Sequence, residues 1–195
     1  MRGKFIVIYG INNLGKTTQA QLLVNKLKKE GYKAHYLKYA LYNLEPSGPL
    51  LNSYLREGNP YKFSSREFQL LQVLNRFQYQ PDLEKKLRAG INIVAEDYIG
   101  TGLAWGIGTG VDETLLKYLN TNLIKEDLVF LFVGKRFKQA QEKGHPHEEN
   151  QALLEKVQII HQRLAQEFGW QIIQANQKPE KITQQIWQTV KKIIN

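Results

Sequence analysis

One segment near the N-terminus constrains the fold more than any other part of the chain. Residues 10–17 read Gly-Ile-Asn-Asn-Leu-Gly-Lys-Thr and match the pattern G-x-x-x-x-G-K-[ST]. The short apolar run at residues 5–9 predicts a buried strand before this segment, and the spacing of apolar side chains in residues 16–30 predicts a helix after it. A strand, a loop closed by glycines and a helix in this order are typical of a phosphate-binding loop.

The loop predicts which residues bind ATP. Backbone N–H groups in such a loop point at phosphate oxygens, and the dipole of the following helix favours the same negative charge. Lys16 is expected to act in catalysis by contacting the β- and γ-phosphates, Thr17 to offer a hydroxyl to Mg²⁺, and Thr18 to reach the α-phosphate. The predicted ATP-binding residues are Gly10, Ile11, Asn12, Asn13, Leu14, Gly15, Lys16, Thr17 and Thr18.

The rest of the chain alternates short apolar runs with amphipathic stretches. Four further strands are predicted, at residues 34–37, 91–95, 128–133 and 171–174. This alternation predicts a three-layer α/β/α sandwich with a five-stranded parallel sheet, the P-loop NTPase fold. No domain boundary is visible, so we expect a single P-loop kinase domain over residues 1–195, with a short lid near residues 143–150.

Three local patterns give more specific expectations. Ser64 and Glu67 form a capping box that opens a helix, and Pro81 is expected to break or kink that helix because proline lacks the amide donor. The glycine-rich residues 100–110 predict a turn. Residues 135–142 are expected to be helical.

Two carboxylates follow the third predicted strand. A P-loop enzyme needs an acidic group at the end of a neighbouring strand to hold Mg²⁺ or its waters. We therefore expect Glu96 and Asp97 to act in catalysis and, with Thr17, to form the metal site. Strand alternation predicts that only one of the two carboxylates points towards the loop. The alternative is that Asp97 caps the following helix.

Three segments together resemble the thymidylate kinase family of nucleoside-monophosphate kinases. They are the loop ending in Lys16-Thr17-Thr18, residues 70–78 and residues 96–105, and residues 45–48 faintly resemble the family's Glu-Pro-Gly-Gly segment. The resemblance covers essentially the whole chain and implies Mg²⁺-dependent transfer of the ATP γ-phosphate to a deoxynucleoside monophosphate, with dTMP as the expected acceptor. It also implies a homodimer formed through helices. The substrate-binding residues that it implies are Gln72, Arg76, Tyr98, Gly102, Trp105 and Glu45.

The chain departs from the family pattern mainly where the family carries arginine. Asp97 replaces the arginine of an Asp-Arg-Tyr segment, and Leu44 stands where an arginine usually precedes the Glu-Pro segment. Asn12 replaces the aspartate of the loop, and Gln72 stands at the position of a base-stacking phenylalanine. The lid lacks an arginine, and the candidates to replace it are Arg136, Lys138 and Lys143.

Two other functions stay open. The carboxylates after the third strand also suit a deoxynucleoside kinase, in which Glu96 would accept the proton of a 5′-hydroxyl. The missing arginines and the net charge of +9, from 27 basic and 18 acidic residues, favour a P-loop nucleotide-binding protein that transfers phosphate weakly and acts by binding, with nucleic acid as a candidate partner. For the kinase interpretations we expect nucleotides rather than nucleic acid as partners.

Composition excludes several other classes. The chain has no cysteine, which rules out disulfides, a thiol nucleophile and cysteine-ligated metals. No apolar run approaches the roughly 18 residues that span a membrane, so we expect no membrane partner and a cytoplasmic location. His145 and His147 predict a solvated lid rather than a metal site, because no further ligands converge on them in the sequence.

Overall fold

A computed structural model describes residues 1–137 and 150–194. Five parallel strands form one sheet in the order β2-β3-β1-β4-β5. Strands β1, β3 and β4 are buried at every residue but one, which explains their continuous apolar sequences. The strands are β1 Phe5–Tyr9, β2 Ala34–Lys38, β3 Asn92–Glu96, β4 Leu128–Val133 and β5 Gln171–Gln174.

The described residues form seven helices, which lie on both sides of the sheet. The connections from β1 to β2 and from β2 to β3 run in opposite directions along the sheet, so right-handed crossovers put their helices on opposite faces. This confirms the predicted three-layer α/β/α fold. The helices are α1 Lys16–Lys29, α2 Ser47–Arg56, α3 Ser65–Arg88, α4 Ile99–Gly108, α5 Glu113–Leu119, α6 Gln151–Phe168 and α7 Pro179–Val190.

Helix α3 runs without interruption through Pro81, so the predicted break is wrong. Pro81 is on the solvent side of the helix. The backbone carbonyl one turn earlier, which receives no hydrogen bond from proline, can therefore bond to water instead. The next turns bury Leu83 and Leu87 in the main core. This packing outweighs the cost of about 3 kcal/mol that proline imposes inside a helix. The predicted capping box is present, since Ser64 and Glu67 bond to each other's backbone amides.

Residues 99–108 form helix α4 rather than the predicted glycine-rich turn. The glycines of this helix allow close packing: a Cβ at Gly100 would lie 2.6 Å from atoms of both Trp170 and Tyr9. Sequence pattern could not distinguish this use of glycine from a turn.

The segment before α6 is described only in part. Residues 135–137 are not helical, and the rest of the helix predicted over residues 135–142 lies outside the described residues. The lid predicted near residues 143–150 also lies outside them, except for Asn150, whose side chain caps α6 by accepting a hydrogen bond from the Leu153 amide at 3.0 Å. Among the helices described, none is both long and apolar enough to cross a membrane.

The sheet brings two sequence-distant segments to one edge. Strands β1 and β3 are parallel neighbours, with Ile8 opposite Glu96. Their carboxyl ends therefore place residues 10–15 beside residues 96–97, although more than 80 residues separate them in the chain.

Candidate active site

Residues 10–15 form the loop between β1 and α1. Gly10 has a φ of 136°, and a Cβ there would lie 2.6 Å from the Phe132 carbonyl oxygen, so the loop requires glycine at this position. Helix α1 begins directly at Lys16 with no side-chain cap. Its first amides are thus not engaged by a capping side chain and can bind an anion.

Lys16 is almost fully buried beside the loop. Its Nζ donates hydrogen bonds to the carbonyl oxygens of Gly10 at 2.8 Å and Ile11 at 3.0 Å. The same ammonium lies 3.7 Å from Asp97 Oδ1. These contacts fix a positive charge between the loop and the end of β3.

Both carboxylates after the third predicted strand reach the loop. Glu96 is the last residue of β3, and its Oε2 accepts a hydrogen bond from Thr17 Oγ1 at 2.9 Å. Its Oε1 accepts a hydrogen bond from the Tyr36 hydroxyl. Burial, followed by the Glu96 carboxylate, raises the pKa of Tyr36, so this hydroxyl stays protonated and acts as a donor.

The expectation that only one carboxylate points towards the loop is wrong. Asp97 has a φ of 56°, which ends the strand alternation and turns its side chain towards Lys16. Asp97 Oδ1 also accepts a hydrogen bond from Thr101 Oγ1 at 3.0 Å. The N-cap of α4 is Tyr98, and no side chain caps this helix, which disfavours the alternative role of Asp97 as a cap.

A cavity of about 380 Å³ opens from the loop towards α3 and α4. It brings together most of the predicted site residues. The predicted residues on its wall are Asn12, Asn13, Gly15, Lys16, Thr17, Thr18, Gln72, Arg76, Glu96, Asp97, Tyr98, Gly102 and Trp105.

Four predicted residues do not line this cavity. Gly10, Ile11 and Leu14 belong to the loop but are buried in the protein interior. The Glu45 side chain is exposed, and its carbonyl oxygen accepts a hydrogen bond from Gln78 Nε2 on α3. Glu45 is therefore not one of the side chains that line the cavity.

Arg76 forms part of the deep end of the cavity and is only 2% exposed. Its Nη1 donates to Asn120 Oδ1 at 3.1 Å, and its Cζ lies 6.0 Å from the centroid of the Tyr98 ring. Burial lowers the pKa of Arg76. A Cβ at Gly102 would lie 2.6 Å from Arg76 Nη2, so the guanidinium has room only because residue 102 is glycine.

Several polar atoms of the wall have no hydrogen-bond partner among the described residues. They are Nε of Arg76, Oε1 of Gln69 and the hydroxyls of Tyr39 and Tyr98. All four side chains line the cavity, and all four atoms are buried. Since buried polar atoms are nearly always hydrogen-bonded, these atoms indicate a site for a polar ligand.

Other residues of the wall were not predicted from the sequence. The rings of Tyr54 on α2 and Phe68 on α3 stack with centroids 3.9 Å apart and planes 14° apart. Counting back from Arg76 by helical spacing would have found Phe68 and Gln69 on the same helix face. No pattern in the sequence indicated Lys38 or Arg56, which also line the cavity.

The fold and the position of the loop define the class of protein. A parallel α/β sheet that carries this loop after β1 and two carboxylates after the neighbouring strand is a P-loop NTPase fold. A solved structure of thymidylate kinase from Candida albicans has the same fold, with a TM-score of 0.79 over 98% of this chain and 92% of that chain, at 23% sequence identity.

Sequence comparison defines the family within this class. Residues 8–186 match the family model described as thymidylate kinase. Thymidylate kinase of Plasmodium falciparum is 31% identical over 196 residues, which cover 98% of this chain and 91% of the relative. Thymidylate kinase of Homo sapiens is 30% identical over 194 residues, which cover 95% of this chain and 88% of the relative. The chain belongs to the thymidylate kinase family, a family of nucleoside-monophosphate kinases.

Proposed function

We propose that this protein transfers the γ-phosphate of ATP to dTMP and forms dTDP and ADP, with Mg²⁺ as cofactor. Membership of the thymidylate kinase family supports the reaction and both nucleotides. The observation that carries the proposal is the continuous cavity, which joins a phosphate-binding loop at one end to buried, unpartnered polar atoms at the other. Two nucleotides that meet end to end need a cavity of this kind.

The ATP phosphates would lie against residues 10–18. Backbone amides of the loop and of the first turn of α1 would bind the phosphate oxygens. The Lys16 ammonium, held between the loop and Asp97, would stabilise the charge on the β- and γ-phosphates.

The residues at the loop fit Mg²⁺. Mg²⁺ prefers oxygen ligands and is usually held by one or two carboxylates together with phosphates and water. Thr17 offers a hydroxyl that is hydrogen-bonded to the Glu96 carboxylate, and Asp97, the next residue, offers a second carboxylate 3.7 Å from Lys16 Nζ. No cluster of three or more histidine, cysteine or acidic side chains was found in the described part of the chain, which suits an ion bound mainly through the substrate. When bound, Mg²⁺ neutralises charge on the phosphates.

The surroundings of Glu96 favour a monophosphate acceptor over a free nucleoside. A 5′-hydroxyl loses a proton when it attacks phosphorus and needs a base, whereas a phosphate monoester is already largely a dianion at pH 7. Both Glu96 oxygens accept hydrogen bonds, from Thr17 and from Tyr36. A carboxylate engaged in this way is better suited to fixing Thr17 than to removing a proton.

We place the base of dTMP at the deep end of the cavity. Arg76 Nε and Gln69 Oε1 are an unpartnered donor and an unpartnered acceptor, and a pyrimidine with a carbonyl next to an N–H group complements them. Gln72 and Trp105 would complete the walls around the base and sugar. Gly102 would act indirectly, by leaving room for the Arg76 guanidinium.

A panel of acceptors tests the proposal. The protein is incubated with ATP and Mg²⁺ and with each deoxynucleoside or its monophosphate, and products are separated by anion-exchange chromatography. The expected result is dTDP from dTMP, with little product from thymidine. Phosphorylation of thymidine without phosphorylation of dTMP would instead support the nucleoside kinase. ATP binding without transfer to any acceptor would support the weakly active nucleotide-binding protein.

The proposal extends to assembly and location. Leu70, Leu74 and Phe77 form an exposed apolar stripe along α3, with exposed fractions of 44%, 42% and 36%. Adjacent exposed apolar side chains of this size are typical of protein interfaces, so we propose that a homodimer forms through this stripe. We also propose a cytoplasmic location and a lid near residues 143–150. Cell fractionation tests the location.

A further inference from the structure

The positive charges on the cavity wall are not equally available for the phosphate of the acceptor. Lys16 lies 3.7 Å from Asp97 and belongs to the ATP end. Arg76 is buried at the deep end and is bonded to Asn120. Two further cations of the described wall are Lys38 and Arg56, and both are exposed to solvent.

Arg56 is fixed at the edge of the cavity by the packing of α2 on α3. The contact is a small apolar cluster of Leu51, Leu55 and Phe68, and Arg56 is the last residue of α2. The guanidinium Cζ lies 5.1 Å from the centroid of the Tyr42 ring, and Tyr42 also lines the cavity. Helix and ring together hold this charge beside the cavity.

The contact with Tyr42 leaves the donors of Arg56 available. None of the N–H groups of the Arg56 guanidinium donates a hydrogen bond to another described residue, so its five donors can bind a ligand. Among the described residues, no carboxylate lies within salt-bridge distance of Arg56. The neighbouring Glu57 instead accepts hydrogen bonds from Asn52 at 2.7 Å and Ser53 at 2.8 Å. A planar donor held in this way suits the paired oxygens of a phosphate.

The charges around the loop create a need for such a cation. The wall carries the carboxylates of Glu96 and Asp97 close to where the two nucleotides would meet. Asp97 and Leu44 stand at positions where the family pattern has arginine. The acceptor phosphate of about −2 charge would be repelled by the carboxylates unless another cation offset them.

We propose that Arg56 binds the phosphate of the acceptor nucleotide, in place of the arginines that are missing at positions 44 and 97. The inference rests on the proposed dTMP kinase function. Arg56 is therefore a substrate-binding residue on α2, and Tyr42 orients it. Lys38, at the end of β2, adds positive charge on the same wall.

The test compares the wild-type protein with R56Q and R56K, and uses R66Q as the matched control. Arg66 is an exposed arginine in the first turn of α3 that does not line the cavity. The Michaelis constants for dTMP and ATP are measured for each protein, and calorimetric titration gives the affinities for dTMP and thymidine. Circular dichroism melting checks that each variant is folded.

We expect R56Q to raise the KM for dTMP and weaken dTMP binding by about tenfold or more, because a bidentate charged contact is lost. The KM for ATP and the affinity for thymidine should change by less than about twofold, because neither involves this phosphate. R56K should recover part of the loss, and R66Q should behave as the wild type.

Two results would overturn the inference while leaving the proposed function intact. One is an unchanged KM for dTMP in folded R56Q. The other is an equal loss of affinity for dTMP and thymidine, which would indicate that Arg56 only maintains the shape of the site. If the wild-type protein does not phosphorylate dTMP, the proposed function is wrong and the inference fails with it.

Discussion

His161 predicts a specific loss of stability at acidic pH. This residue lies in α6 and is only 1% exposed. Burial, followed by the nearby charge of Lys16, lowers its pKa to about 3, from the ordinary value of 6.5. The imidazole is therefore neutral in the folded protein throughout the physiological range. In the unfolded chain it takes up a proton below pH 6.5.

The sign and size of this loss of stability follow from the difference in proton binding by His161 between the folded and unfolded states. The folded-state pKa is the lower one, so the contribution of His161 to stability is complete above pH 6.5. It falls as the pH drops from there towards 3. Each pH unit in this window costs about 1.4 kcal/mol, so the 6.5 − 3 = 3.5 units correspond to an upper limit of about 5 kcal/mol. Between pH 7 and pH 5 the expected loss is about 2 kcal/mol.

Urea denaturation at pH 7 and pH 5 measures this loss for the wild type, H161L and H35Q. Leucine does not titrate, so H161L should lose about 2 kcal/mol less than the wild type between the two pH values. His35 is exposed on β2, and H35Q should keep most of the wild-type pH dependence. Equal pH dependence in the wild type and H161L would refute the reasoning.

Three further changes test other parts of the account. K16A should lower kcat/KM at least about a hundredfold with little change in the melting temperature, because the residue stabilises transferring phosphates; near-normal turnover would exclude that role. G102A should raise the KM for dTMP and not that for ATP, because the new Cβ would lie 2.6 Å from Arg76 Nη2 and displace the guanidinium; equal changes in both constants would argue against it. L74E should convert a dimer to a monomer in light scattering, since the charge would lie within the proposed apolar interface on α3; a dimer that persists would place the interface elsewhere.

The sheet and the loop could be predicted from sequence because each has a strong local signal. Continuous apolar runs identified the buried strands, and the strand–loop–helix context identified the loop from Gly10 to Thr17. Parallel pairing then made it predictable that the residues after β3 would meet this loop.

The errors arose where tertiary packing overrides a local rule. Pro81 remains inside α3 because the helix is held by its buried face, and the glycines of α4 allow close contact with neighbouring helices and rings rather than a turn. Asp97 reaches Lys16 because of its positive φ, which the sequence does not reveal for a non-glycine residue. Arg56 was missed because its place in the cavity depends on how α2 packs on α3.

The most direct test of the central claim is the ratio of kcat/KM for dTMP to that for thymidine, measured with ATP and Mg²⁺ on one preparation. We expect a ratio well above one, with dTDP as the product and with kcat/KM lowered at least about a hundredfold in K16A. A ratio below one, with thymidine converted to dTMP and no dTDP formed, would contradict it.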